Sequence, residues 1–132
     1  MADARLCSSL PMQYAVAAAL LGDRSHQPIF RAELKTRADI TVRSLNAMPG
    51  MSCVAPIAGF YVMPQVRLPA GKTDEDYVLG LLRATGVLCV YGSGFGMPKD
   101  GGFFRIVFLA SPDELTGIYG LMADFTKKFL EG

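Results

Sequence analysis

The amino-acid sequence predicts an α+β fold: a two-layer sandwich in which a small, mostly antiparallel sheet is covered by helices. Three observations carry this expectation. Apolar residues recur at helical spacing in long segments near both ends and in a shorter one near the middle. Between them lie short runs rich in Val, Phe, Tyr and Ile, cut by Gly and Pro, the punctuation of short strands. The chain has 132 residues, one domain's length, and should bury about two thirds of its unfolded surface, enough for a core.

The elements follow in order. Pro11 suits the first turn of a helix, and Met12 to Leu21 is rich in helix formers until Gly22-Asp23-Arg24-Ser25 breaks the run. From Pro28 to Met48, Phe30, Leu34, Ala38, Val42 and Leu45 fall on one stripe. Arg31, Lys35, Arg37 and Arg43 lie mostly elsewhere on that helix, and Glu33 and Asp39 interrupt them, so the face reads as solvated. Pro49-Gly50 ends the helix. Ser52 to Val54 and Gly59 to Val66 read as strands, the second an edge strand or a bulged one because of Pro64. Thr73 reads as an N-cap with first-turn acids for a helix through Tyr77, Leu81 and Leu82, stopped by Gly86. Val87 to Tyr91 reads as a buried strand, followed by a tight glycine turn and a strand from Phe103 to Leu109. Ser111-Pro112-Asp113-Glu114 is a capping box with proline at the first helical position. The helix it opens carries Leu115, Ile118, Met122, Phe125 and Phe129 down one side.

Composition excludes several classes of function. The net charge of +1 makes no field for nucleic acid or an anionic membrane. Ala15 to Leu21 is far too short to span a bilayer, and Met1 to Ser9 lacks the apolar stretch of a signal peptide, so cytoplasmic residence is expected. Cys7, Cys53 and Cys89 are widely spaced, and Cys53 and Cys89 lie in apolar runs where cysteine acts as a small hydrophobe. His26 is the only histidine and falls beside Arg24 and Ser25, in what reads as an exposed turn. No metal site is therefore expected. A Cys–His pair would need the two brought together in space.

The chemistry-bearing stretch is Val90 to Leu109. Gly92-Ser93-Gly94-Phe95-Gly96 can hold backbone at positive φ, but it is neither a Walker loop nor a dinucleotide fingerprint. No helix N-terminus follows it to cradle a phosphate, so it reads as the strand-to-strand turn. Arg105 stands in the middle of Phe103-Phe104-Arg105-Ile106-Val107-Phe108-Leu109, apolar on both sides of the alternation. A guanidinium there needs an anion, because an uncompensated buried charge costs several kcal/mol. Arginine is also suited to gripping a carboxylate with two parallel hydrogen bonds. From the residues alone, a ligand carboxylate, an internal salt bridge and a side chain reaching out at the sheet edge all remain open. Lys35, Lys72, Lys99, Lys127 and Lys128 lie on charged helix faces or in loops, and none reads as the enclosed amine that covalent catalysis needs.

Taken in order, four stretches resemble the class I and II aminotransferases. They are Gly59-Phe60-Tyr61-Val62-Met63-Pro64, Tyr77-Val78-Leu79 through Thr85-Gly86-Val87, Gly92-Ser93-Gly94-Phe95-Gly96, and Phe104-Arg105-Ile106. More narrowly they are similar to the aspartate/alanine aminotransferase-like group of fold-type I pyridoxal-phosphate enzymes. Ser9-Leu10-Pro11-Met12-Gln13-Tyr14-Ala15 and Arg37-Ala38-Asp39 match how such chains enter their C-terminal domain. The resemblance covers nearly all of the chain and is most specific at the glycine turn and the arginine strand that follows it.

The resemblance implies that residues 1–132 are a single domain, the small substrate-closing domain of a longer enzyme. That enzyme would exchange an amino group between an amino acid, such as aspartate or alanine, and a 2-oxo acid. It implies that Arg105 binds the substrate α-carboxylate and, more weakly, that Tyr61 takes the place of an aromatic near the mouth of the active site. The implied cofactor is pyridoxal phosphate, and such enzymes are usually homodimers. The family's cofactor lysine in its Ser-x-x-Lys setting has no counterpart here, nor does the aspartate for the pyridine nitrogen or the phosphate site. No catalytic or cofactor-binding residue is therefore expected in this chain, which alone should neither hold the cofactor stably nor transaminate. A different reading of the same residues is a stand-alone module that binds small carboxylates or a partner protein, without catalysis.

Overall fold

A computed structural model describes residues 9–131, so Cys7 lies outside the described residues. The chain divides into two compact units, residues 1–32 and 33–132. In the first, Pro11 occupies the opening turn of helix α1 (Leu10–Leu21), where its missing N–H is no loss, and Gly22 ends the helix. None of its residues is buried, although apolar side chains surround the whole axis. A helix apolar all round is suited to an interior rather than to a water-facing surface. His26 is exposed as expected, but it opens helix α2 (His26–Asn46) rather than lying in a turn. Helical turns therefore begin ahead of Pro28, which the first turn tolerates.

In the second unit, the α2 stripe meets the core through Leu34, Ala38, Val42 and Leu45. Five short strands follow: β1 (Met51–Ser52), β2 (Tyr61–Val62), β3 (Gln65–Val66), β4 (Val90–Tyr91) and β5 (Phe104–Val107). They form two small sheets, β1–β3 and β2–β5–β4, antiparallel at every pairing, with β5 in the centre of the larger one. Helices α3 (Asp74–Thr85) and α4 (Pro112–Glu131) pack on each other. The core collects Leu45, Val66, Leu81, Phe108, Leu115 and Met122 around Tyr77 and Phe104, whose ring centroids are 5.1 Å apart. This is the α+β arrangement expected.

Both predicted caps form. Thr73 and Asp76 exchange side-chain and backbone hydrogen bonds, as do Ser111 and Glu114, and Gly86 closes α3 at φ 77°. Two buried tyrosines tie helices together. Thr126 donates its one proton to the Met122 carbonyl (2.7 Å), and Thr41 donates its own to the Arg37 carbonyl (2.8 Å). The partners in their second bonds, Tyr77 (2.7 Å) and Tyr119 (2.8 Å), must then be the donors.

The strands depart from expectation in four places, each for a local reason. The run Gly59 to Val66 is two strands in different sheets. Pro64 has no N–H to continue a ladder, and its carbonyl accepts from Phe104 instead (3.1 Å). The first strand stops at Ser52, because the backbone N–H and C=O of Cys53 are both taken by the Asn46 side chain (2.8 and 2.9 Å). Only Val90 and Tyr91 of the expected buried strand join the ladder, at its edge, with Leu88 and Val90 exposed. The link from β4 to β5 is not tight: it holds two 3₁₀ turns, Gly92–Phe95 and Lys99–Gly101. It ends at Gly102, whose φ of 69° and approach to the Val66 carbonyl leave no room for a Cβ.

Candidate functional site

Strand β5 sends Phe104 and Ile106 into the core, so the alternation turns Arg105 and Val107 to the other face of the sheet. Register brings their neighbours to the same face, with Val90 opposite Arg105 and Tyr61 opposite Val107. Tyr61, Val90, Phe95 and Val107 are all exposed and apolar. Arg105 is thus a half-buried cation in the middle of an open apolar surface.

Two rings bracket it from the two sides of β5. The guanidinium carbon lies 5.0 Å from the centroid of Tyr61, which comes from β2, and 4.4 Å from that of Phe95, in the turn leaving β4. Nε of Arg105 is buried without a hydrogen-bond partner. The ion pairs among the described residues join Lys35 to Asp39 and Arg37 to Glu33; neither involves Arg105. Of the readings left open by the sequence, an internal salt bridge therefore has no partner among the described residues. What remains is a planar cation with rings against it and donors to spare. Such a group can take a carboxylate side-on with two hydrogen bonds, which are stronger where water is scarce.

Arg105 also lines a groove of about 520 Å³ between β4, β5 and α4, within the range of small-molecule sites. It is the only charged residue among those described in that lining, which is mostly apolar, with Leu88, Val90, Ile118 and Leu121. Cys89 is part of the wall, and burial pushes its thiol up to about 12, so it stays protonated and inert near neutrality. Burial likewise raises the Tyr119 phenol to about 12.

The structure thus brings together the two residues singled out from the sequence, Arg105 and Tyr61. It adds two that sequence reasoning missed. Phe95 was visible only as part of the glycine turn. Asp74 was visible only as a first-turn acid, yet it is 1% exposed and holds Ser93 from 19 positions away.

A model of the family "Aminotransferase class I and II" matches residues 1–117. The chain belongs to the class I and II aminotransferases. Among aminotransferases of this kind, a probable mitochondrial alanine aminotransferase of Dictyostelium discoideum is 36% identical over 126 residues, spanning 83% of this chain and 23% of that protein. An alanine aminotransferase of Mycobacterium tuberculosis is 34% identical across 95% of this chain and 30% of its own length. A solved alanine aminotransferase structure from Pyrococcus furiosus superposes with a TM-score of 0.85 at 36% identity, covering 96% of this chain and 32% of that one. The chain therefore spans about a quarter to a third of the length of the relatives it matches.

Aminotransferases of this family generally work with pyridoxal phosphate, which needs an enclosed lysine amine, an acid for its ring nitrogen and a phosphate site. The described residues do not fit that group. All five lysines are exposed, and Lys35 is paired with Asp39 at 2.9 Å. The described His, Cys, Asp and Glu residues form no cluster that could hold a metal ion. No helix among the described residues is long and apolar enough to cross a membrane.

Proposed function

We propose that this chain is the substrate-closing domain of a longer aminotransferase acting on alanine, aspartate or a similar amino acid, and that Arg105 grips the substrate's α-carboxylate. The observation that carries the reading is a mid-strand guanidinium with ring faces against it and no carboxylate partner among the described residues. Pyridoxal phosphate, held by residues outside this chain, supplies the chemistry that moves the amino group. The chain's own part is to bind and orient. Arg105 fixes one end of the substrate through two parallel hydrogen bonds, and Tyr61 and Phe95 keep water from the guanidinium faces. Closure of the domain over the cofactor brings Arg105 onto the substrate. The exposed apolar helix α1 suits a seat against the larger part of the enzyme. Alone, the chain neither holds the cofactor stably nor turns over.

A chimera tests this: the chain replaces the matching third of the Pyrococcus furiosus alanine aminotransferase. Alanine-dependent conversion of 2-oxoglutarate should survive the exchange. Arg105→Lys in the chimera should lower kcat/KM about a hundredfold, the loss of a bidentate grip. The purified chain supplied with pyridoxal phosphate should show no turnover. An Arg105→Lys chimera as fast as its parent, or turnover by the chain alone, would contradict the reading.

A further inference from the structure

We infer that Asp74 is a positioning residue: with Ser93 it forms a clasp that sets Phe95 against the Arg105 guanidinium. The inference rests on the proposed carboxylate grip of Arg105 and deepens it. A first-turn aspartate normally stays in water, where it can favour a helix N-terminus at little cost. Asp74 does not. It is almost fully buried, and burying a carboxylate is unfavourable unless hydrogen bonds replace its hydration. Three donors do so. The Glu75 N–H reaches Oδ1 at 2.9 Å from within the helix, while the Ser93 N–H reaches Oδ2 at 2.6 Å and the Ser93 hydroxyl reaches Oδ1 at 3.1 Å. Both donors from outside the helix belong to one residue, two positions before Phe95.

The residue before Ser93 is pinned to Phe103, which leads into the strand that carries Arg105. The Gly92 N–H donates to the Phe103 carbonyl at 2.7 Å, and a Cβ at position 92 would lie 2.6 Å from that oxygen. The turn then closes on itself, from Gly96 to Ser93 (3.1 Å) and from Met97 to Gly92 (3.2 Å). Phe95 thereby follows two anchored residues, Gly92 tied to Phe103 just ahead of β5 and Ser93 tied to α3, and its ring meets the guanidinium 4.4 Å away. Tyr61 is delivered independently by β2. A planar fork must lie in the plane of the carboxylate it receives, so whatever restrains guanidinium rotation prepares it for binding. The clasp links a buried acid, which never meets the ligand, to the orientation of the group that does.

The test uses the full chain labelled with ¹⁵N, the Arg105 Nε–H as reporter and pyruvate as probe. Guanidinium rotation and Nε–H exchange with water should rise at least about fivefold in Asp74→Asn and Phe95→Leu, and less in Ser93→Ala, which keeps the backbone donor. Pyruvate should bind about five- to tenfold more weakly to Asp74→Asn and Phe95→Leu. Ser93→Thr, which keeps both donors, should match the parent in both readouts. A purely structural role would lower the unfolding midpoint without moving the Arg105 signal. Should Asp74→Asn fail to fold, Ser93→Ala and Phe95→Leu carry the comparison. Parental exchange and rotation in the folded variants overturn the clasp. Absence of pyruvate binding to the parent chain overturns the carboxylate reading instead, and the exchange rates still decide whether the clasp orders Arg105.

Discussion

Replacing Arg105 with methionine distinguishes an arginine kept for a ligand from one that holds the fold together. Methionine keeps an unbranched stem and removes the charge. Two consequences can be weighed from the geometry. The buried Nε–H without a partner costs the folded chain about 1–3 kcal/mol, which the substitution recovers. The two ring contacts, at 4.4 and 5.0 Å, contribute about 0.5–1 kcal/mol each and are lost. The terms largely offset, so Arg105→Met should change stability by between a loss of about 1 kcal/mol and a gain of about 2 kcal/mol. Breaking a buried structural ion pair would instead cost about 3–5 kcal/mol. Urea unfolding followed by circular dichroism separates the cases. With an m-value of about 1 kcal/mol/M, the first lowers the midpoint by at most about 1 M, if at all, and the second lowers it by about 3 M or more. A loss above about 3 kcal/mol would refute the account of Arg105 as an unpartnered, ligand-directed cation.

Other outcomes follow from the buried hydroxyls and thiol. Tyr77→Phe should cost about 1 kcal/mol, and Thr126→Val somewhat more because it strands the tyrosine hydroxyl. The double variant should fall well short of the sum, and additive losses in a urea double-mutant cycle would contradict the bond between them. Burial raises the Cys89 thiol and the Tyr77 and Tyr119 phenols to about 12 in the folded chain. The unfolded chain gives up these protons first, so their contribution is fully present below about pH 9 and is lost as pH rises toward about 12. The urea midpoint should therefore fall steadily across that window, and a midpoint unchanged at pH 11 would contradict the burial of these groups.

Features set by neighbouring residues were legible in the sequence. The caps at Thr73 and Ser111, the stop at Gly86 and the inward side of α4 each depend on partners within one or two turns of helix. Arg105 was legible because a lone cation in an apolar strand demands an explanation wherever its partners lie. Strand limits were not. Whether Gly59 to Val66 is one strand or two depends on which chain segments lie alongside, and these are β5 for one half and β1 for the other. Val87 to Tyr91 looks buried by composition, yet its place at the sheet edge leaves it half open. Asp74 and Phe95 were hidden for the same reason. Their importance comes from contacts to Ser93 and Arg105, which pattern and propensity do not encode.

The most direct measurement is a titration of the ¹⁵N-labelled chain with pyruvate, set beside its neutral methyl ester and an Arg105→Met variant. The account predicts a saturable change centred on the Arg105 Nε–H at about millimolar pyruvate, equivalent to about 4 kcal/mol. The change should be absent with the ester and absent in the variant. An equal response to the ester, or a response that survives Arg105→Met, would mean that this arginine is not the carboxylate site.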